Sequence, residues 1–466
     1  DLGLPGVVLP TPCFGPVRIS VDPYTGGPGQ HRTQVEPDSF AFGSTMVTTF
    51  QVARVYGGGA NNIGFSTSRD NGVSWTDGML PLITVEEGGP WAKASDPSVA
   101  YDAEHGVWMI QTLAIDGSGT PQQVLVSRST DGGLTWGPPI SAGGGPGRRL
   151  DKNWIVCDNW PASPHYGNCY SQWDDNGAGN RMEMATSIDG GLTWGPTLRP
   201  AGQPGGLGGQ PIVQPDGDVI VPYSTGWSQL RTFTSTDGGA SWGASTLISS
   251  VTYHSPAGGL RSPPLPSAEI AGDGTVHVAW MDCRFRSGCS ANDIVTSKSS
   301  DGTTWSAPVR IPIDPVDSGR DHFIPGLAVN SATSGSGTDL FVSYYMYPIS
   351  ACGGSCTLQV GFGWSSDAGA TWSFETHAPL IPVSWIASTS QGRMVGDYIS
   401  SSFLGNGRAV PIWSHAYTPQ GGLFDQAMEV MMGGFDITAG SVAAGGDEVA
   451  SDAFGTPSPV IPPTAN

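Results

Sequence analysis

The apolar residues of this chain fall in short runs that are β-branched, aromatic or alternating with polar residues. Gln123-Val-Leu-Val-Ser127, Val107-Trp-Met-Ile-Gln-Thr112, Val219-Ile-Val-Pro-Tyr223, Val276-His-Val-Ala-Trp280 and Leu340-Phe-Val-Ser-Tyr-Tyr345 are examples. Gly, Asp, Asn and Pro bound these runs, so the pattern predicts strands joined by tight turns. No apolar run approaches the ~18 residues of a membrane-spanning helix.

One phrase recurs between the strands. Ser129-Thr-Asp-Gly-Gly-Leu-Thr-Trp136, Ser187-Ile-Asp-Gly-Gly-Leu-Thr-Trp194 and Ser235-Thr-Asp-Gly-Gly-Ala-Ser-Trp242 are the clearest copies. Ser68-Arg-Asp-Asn-Gly-Val-Ser-Trp75 and Ser365-Ser-Asp-Ala-Gly-Ala-Thr-Trp372 are looser, and Ser299-Ser-Asp-Gly-Thr-Thr-Trp305 is one residue short. The aspartates stand at 70, 131, 189, 237, 301 and 367. A period near 50 residues marks a stacked or radial repeat. Asp can accept backbone N–H bonds in such a turn, Gly supplies positive φ, and the Trp opens the next strand.

The phrase resembles the Asp-box (BNR) repeat of sialidase-like β-propellers, and the resemblance spans nearly the whole chain. It implies an all-β propeller of four-stranded antiparallel blades, with the box turns on the face away from any active site. After the sixth box a further set remains: Gly396-Asp-Tyr-Ile-Ser400, Ala409-Val-Pro-Ile-Trp413 and Met428-Glu-Val-Met-Met432. It lacks a fourth strand. Gly15-Pro-Val-Arg-Ile-Ser-Val-Asp-Pro23 closely repeats Ala307-Pro-Val-Arg-Ile-Pro-Ile-Asp-Pro315, the segment after the fifth box. The N-terminal strand is therefore expected to complete the last blade and close a seven-bladed ring. Residues 1–440 are read as this single domain and 441–466 as an extended or disordered tail.

Composition adds limits. Gly 68, Pro 39 and 16 Trp with 13% charged residues suit a turn-rich all-β protein. A net charge of −20 without a basic stripe argues against nucleic acid as partner. Six of the seven cysteines form close pairs (Cys157/Cys169, Cys283/Cys289, Cys352/Cys356), read as disulfides, with Cys13 left over. Disulfides and the absence of a signal segment before Asp1 fit a mature secreted protein. No membrane association is expected, and a monomer is.

Candidate chemistry lies opposite the boxes, in connections between blades and in loops after second strands. Glu36, Lys93, Lys152, Arg261, Arg284, Arg320 and Arg393 fall there and are read as substrate-binding, the cations as holders of a carboxylate. His31, His322 and Tyr398 are the proton-transfer candidates, and Trp173 is a candidate sugar platform. No zinc-type ligand set stands out. No cofactor is required, though Asp- and Asn-rich loops leave room for a structural calcium ion.

Known sialidases of this superfamily are six-bladed and carry a Phe-Arg-Ile-Pro type motif. Val309-Arg-Ile-Pro312 and Val17-Arg-Ile-Ser20 are lookalikes in outer-strand positions. The seven-bladed pattern is instead similar to polysaccharide lyases such as those that cleave L-rhamnose from D-glucuronate at arabinogalactan ends. That resemblance implies a secreted enzyme acting on acidic oligo- or polysaccharides by β-elimination at a uronate. An exo-sialidase-type glycoside hydrolase and a non-catalytic carbohydrate-binding propeller are the alternatives. The inter-blade loops differ strongly from one another, which favours one asymmetric site over repeated shallow ones.

Overall fold

The computed structural model describes residues 15–438; Cys13 and the expected tail lie outside that range. The described residues form an all-β propeller whose only helical pieces are single 3-10 turns such as Val85–Glu87. None of them is long and apolar enough to cross a membrane.

Five sheets are separate and blade-sized, each named here by the first residue of its inner strand. The Ile212, Ser267 and Asp321 blades have four antiparallel strands in chain order. The Leu150 blade has three: Leu150–Cys157, Cys169–Asp175 and Arg181–Ser187. In the Ser400 blade, Ser400–Phe403, Ala409–Ala416 and Gln426–Met431 are joined by Pro16–Arg18, which pairs with Gln426–Met431 through Val17 and Val430. Eight strands, Gln34–Phe42 to Ile140–Gly144, form one continuous sheet, and Ser388–Thr389 pairs with Gly392–Arg393 in a separate two-stranded one.

Seven separate four-stranded blades were expected, so two points are corrected. The eight-stranded sheet is continuous through a single pair, Ala60 with Ala94. Both residues are fully buried, and a side chain on neighbouring Gly59 would meet the Ala94 carbonyl at 3.1 Å. Small residues let the strand ends approach within bonding distance. The Leu150 blade lacks a regular fourth strand because Pro196 and Pro200 remove backbone donors there, leaving isolated bridges of Met184 with Leu198 and Arg181 with Gly205.

All six recurrent turns share one bonding scheme. In the Asp131 copy, Ser129 Oγ donates to Asp131 Oδ1 at 2.8 Å, and Asp131 accepts the Thr135 N–H at 3.0 Å and hydroxyl at 2.6 Å. Gly133 N–H donates to Ser129 Oγ at 3.0 Å. The short copy keeps the last bond by using Gly302, three residues on from Ser299. These turns also dock on the preceding sheet element. Gly133 has φ 82°, and a Cβ there would lie 2.5 Å from Val47 Cγ2, while its carbonyl accepts the Thr67 hydroxyl at 2.6 Å. The Trp following each turn wedges between neighbours: Trp136 meets Phe65, and Trp242 meets both Phe233 and Tyr170.

The three disulfides form as paired in the sequence, with Cys157 and Cys169 directly opposite in register. The Asp321 and Ser400 blades are joined by a buried polar contact. Tyr345 donates its hydroxyl to the Ser414 carbonyl at 2.7 Å and accepts the Ser414 N–H at 3.0 Å. Tyr345→Phe leaves both Ser414 groups unpaired and is expected to cost about 1–3 kcal/mol, measured as a lower midpoint in urea unfolding.

Candidate functional site

Four inner strands carry the same irregularity. The register shifts between Val35 and Asp38, Ser95 and Ser98, Asp151 and Trp154, and Phe323 and Gly326. Within each bulge one residue has positive φ: Glu36 at 57°, Asp96 at 46°, Lys152 at 39° and Ile324 at 53°. Such a conformation is uncommon outside glycine and costs backbone energy, and bulges re-aim the side chains they carry.

Three of these four side chains meet. Lys152 Nζ lies 3.2 Å from Glu36 Oε1, 2.6 Å from Asp96 Oδ1 and 2.7 Å from Asp397 Oδ2. Arg261 forms a second ion pair with Asp397, and Gln51 donates to Glu36. Ser95 Oγ donates to Asp96 at 2.8 Å. Glu36, Asp96, Lys152 and Asp397 are buried, whereas Arg261 keeps a fifth of its side chain exposed and is the network's outlet to solvent.

The electrostatics separate the carboxyls. Burial lifts Glu36 to about 7 despite the Lys152 ammonium beside it. Burial also opposes ionisation of Asp397, but Lys152 and Arg261 overcome it and hold that carboxyl below its ordinary range. For Lys152 the carboxylates outweigh burial, so it stays charged.

Below the network lies a cavity of about 500 Å³, counting its open mouth, lined by inner-strand residues of several sheets. Lys152, Trp154 and Tyr398 line it, and Asp38 and Glu269 line it from two different sheets. Tyr398 packs edge-on to Trp154 at 5.1 Å, lies 5.8 Å from the Lys152 ammonium, and donates to the Pro97 carbonyl at 3.1 Å. Asp38 accepts the Val99 N–H at 2.8 Å, yet burial raises it to about 7. Burial, with the Asp38 charge adding to it, raises Glu269 to about 8.

The residues singled out from sequence are thus divided. Glu36, Lys152, Arg261 and Tyr398 come together. Arg393 is adjacent through its backbone, its carbonyl accepting the Arg261 N–H at 2.8 Å, and Lys93 is close enough to buried Arg54 to be lowered by burial and by that charge. Arg284 is engaged elsewhere, by Asp282 at 2.6 Å and Ser249 at 3.1 Å. Arg320 is exposed on the turn before the Asp321 strand. His31 lies beside Asp22, with its Nδ1 buried and unpaired.

Two placements correct the expected mouth. His322 is fully buried, its Nδ1 3.2 Å from the Asn292 carbonyl and its Nε2 3.7 Å from Asp314; burial lowers it to about 4. Its backbone N–H also donates to the Asn292 carbonyl at 3.1 Å, which seats the residue against the neighbouring blade. Trp173 is also fully buried and donates to Glu183 at 3.0 Å. The motif lookalikes have local partners: Arg310 binds Asp293 and Asp314, and Arg18 binds Asp425.

Sequence reasoning puts Asp38, Asp96 and Asp397 on this face without assigning them a part in the site, and it does not single out Glu269. One signal was present: Glu36-Pro, Asp96-Pro and Ile324-Pro recur at the start of inner strands, where a proline marks interrupted pairing.

No protein-family model matches this chain, and no curated protein matches its sequence. Similar solved structures include the NanB sialidase from Streptococcus pneumoniae, at 14% identity and TM-score 0.47 over 89% of this chain and 70% of that one. An α-L-arabinanase from Penicillium chrysogenum, complexed with arabinobiose, has 14% identity and TM-score 0.47 over 90% of this chain and 98% of that one. A protein of unknown function from Dyadobacter fermentans has 16% identity and TM-score 0.45 over 71% and 94%. Likeness at this level concerns the chain path and leaves the chemistry open.

Lys152→Met leaves three buried carboxyls without their shared cation and is expected to cost about 3–5 kcal/mol, read from chemical denaturation at pH 7. Glu269 has a folded pKa above its unfolded value, so the folded state holds the proton longer and its contribution to stability falls as pH rises from about 4.5 to about 8. Glu269→Gln is therefore expected to raise Tm at pH 8 and leave it nearly unchanged at pH 4.

Proposed function

We propose that this propeller is a secreted enzyme that cleaves an acidic glycan at the channel mouth, with the Lys152 network forming the floor of its active site. In this reading the eight-stranded sheet counts as two blades joined at Ala60 and Ala94, and the six turns are Asp boxes. Seven blades then surround the channel, with Pro16–Arg18 closing the ring.

The observation that carries the proposal is the pairing of Glu36 and Asp397 on one ammonium, with their proton affinities pushed apart. A carboxyl kept protonated near neutrality beside one held ionised is an acid and base pair. Two carboxyls held on one ammonium stand close enough for the retaining form of glycoside hydrolysis: Glu36 would give its proton to the leaving oxygen while Asp397 attacks the anomeric carbon, and Glu36, then ionised, would take a proton from the water that releases the sugar from Asp397. Arg261, the exposed member, and the adjacent Arg393 would hold a substrate carboxylate.

β-Elimination is the second reading, favoured by the Tyr398 phenol beside the Lys152 ammonium. Lys152 and Arg261 would then neutralise a uronate carboxylate, a base would remove the C5 proton, and the departing O4 would take up a proton.

Arabinogalactan and sialylated oligosaccharides, offered separately to the full chain, distinguish these chemistries. New reducing ends without an unsaturated-uronate chromophore are expected for hydrolysis; the chromophore would establish elimination, and free sialic acid a sialidase. Binding without product would make the propeller a lectin. Glu36→Gln is expected to lower kcat by at least about 100-fold. With Glu36 acting as the acid, wild-type kcat falls as pH rises through about 7. Wild-type turnover in the Gln variant would remove Glu36 from the mechanism.

A further inference from the structure

A second group of ionisable side chains lies away from the Lys152 network, between the Asp321 and Ser400 blades. Trp413 and Glu429 are directly paired on adjacent strands, so their side chains share one face, and His415 lies two residues along that face from Trp413. His377 comes from the outer strand of the Asp321 blade, Ser373–Pro382, and its ring packs 5.6 Å from Trp413 and 6.0 Å from His415. Two sheets therefore bring two imidazoles and one carboxylate together from positions far apart in the chain.

The geometry points to a zinc-class divalent metal site formed by His377 Nε2, His415 Nδ1 and Glu429 Oε2. The three atoms lie within 4.8 Å of one another. Glu429 Oε2 is 3.1 Å from His415 Nδ1 and 3.8 Å from His377 Nε2. Bonds of ~2.0–2.2 Å in a tetrahedral site separate ligand atoms by about 3.4 Å, so these two distances bracket the required edge.

His415 Nδ1 and Glu429 Oε2 face each other as an ion pair, whereas His377 Nε2 is buried without a hydrogen-bond partner and points at the same carboxylate oxygen from 3.8 Å. The His415 side chain is 2% exposed and that of Glu429 7%, so this incompletely satisfied group lies in an interior where unpaired polar atoms are costly. The outer oxygen of the carboxylate is already engaged: Tyr417 donates its hydroxyl to Glu429 Oε1, which orients the carboxylate and leaves Oε2 directed at the histidines.

His377, at 10% exposure, is the side of the site nearest solvent, and a fourth position remains for water. The ion would tie the outer strand of the Asp321 blade to the Ser400 blade, and that strand leads through Val383–Trp385 to Arg393 and Asp397 in the Lys152 network. The assignment does not depend on the proposed reaction.

The test uses the full chain, stripped with a chelator and dialysed. Titration with Zn²⁺ against a chromophoric chelator is expected to show one equivalent bound per chain, with a rise in Tm. Co²⁺ should give the visible absorption of a tetrahedral or five-coordinate His/carboxylate site. His377→Gln changes the least buried ligand and is expected to keep the metal-free Tm while weakening Zn²⁺ binding at least about tenfold; Glu429→Gln should weaken it likewise. Failure of the wild-type chain to take up stoichiometric Zn²⁺ or Co²⁺ overturns the assignment, as does wild-type affinity in either variant. The wild-type Co²⁺ spectrum decides the matter alone if a variant does not fold.

Discussion

A single ammonium group, that of Lys152, sets the conditions for the centre of this propeller. Three carboxylates from different parts of the chain converge on it: Glu36 and Asp96 from the two halves of the eight-stranded sheet, and Asp397 from the approach to the Ser400 blade. Removing a lysine and three carboxyls from water is unfavourable unless each finds a partner, and here the attraction between them offsets the desolvation. The inner strands yield to this requirement. Glu36, Asp96 and Lys152 each adopt positive φ within a bulge, a backbone cost accepted where a side chain must be re-aimed.

The periphery follows a different rule. Each recurrent turn satisfies itself through its own Ser, Asp and Gly, then docks its glycine and tryptophan on the neighbouring sheet. This local completeness lets the unit repeat with little dependence on what surrounds it. The centre has no such autonomy: the Lys152 ammonium is met by Glu36, Asp96 and Asp397, none of which belongs to its own sheet. Regular turns on one face and irregular, charge-bearing bulges towards the other divide scaffold from candidate chemistry.

Local patterns in the chain carried the strands, the six turns, the three disulfide pairs and the pairing of Pro16–Arg18 with the last sheet. These rest on contacts between residues near in sequence or on near-identical segments, as with Val17-Arg-Ile and Val309-Arg-Ile. Reading one charged residue at a time was less successful. Arg261 and Arg320 look alike in the sequence, but one sits on Asp397 and the other is exposed on a turn. His322 stood beside charged neighbours and suggested chemistry, yet its strand turns it into the interior. Glu269 looked like an ordinary strand residue, and only the cavity it faces gives it an unusual proton affinity.

The sequence by itself determined the all-β class, the repeated unit and the residues that make each turn, because alternation and turn chemistry act over a few residues. Only the tertiary structure decided which charged residues meet. Glu36, Asp96, Lys152 and Asp397 span most of the chain, as His377, His415 and Glu429 span two blades. Their protonation follows from burial and from the charges brought within a few ångströms, and neither exists until the sheets have packed.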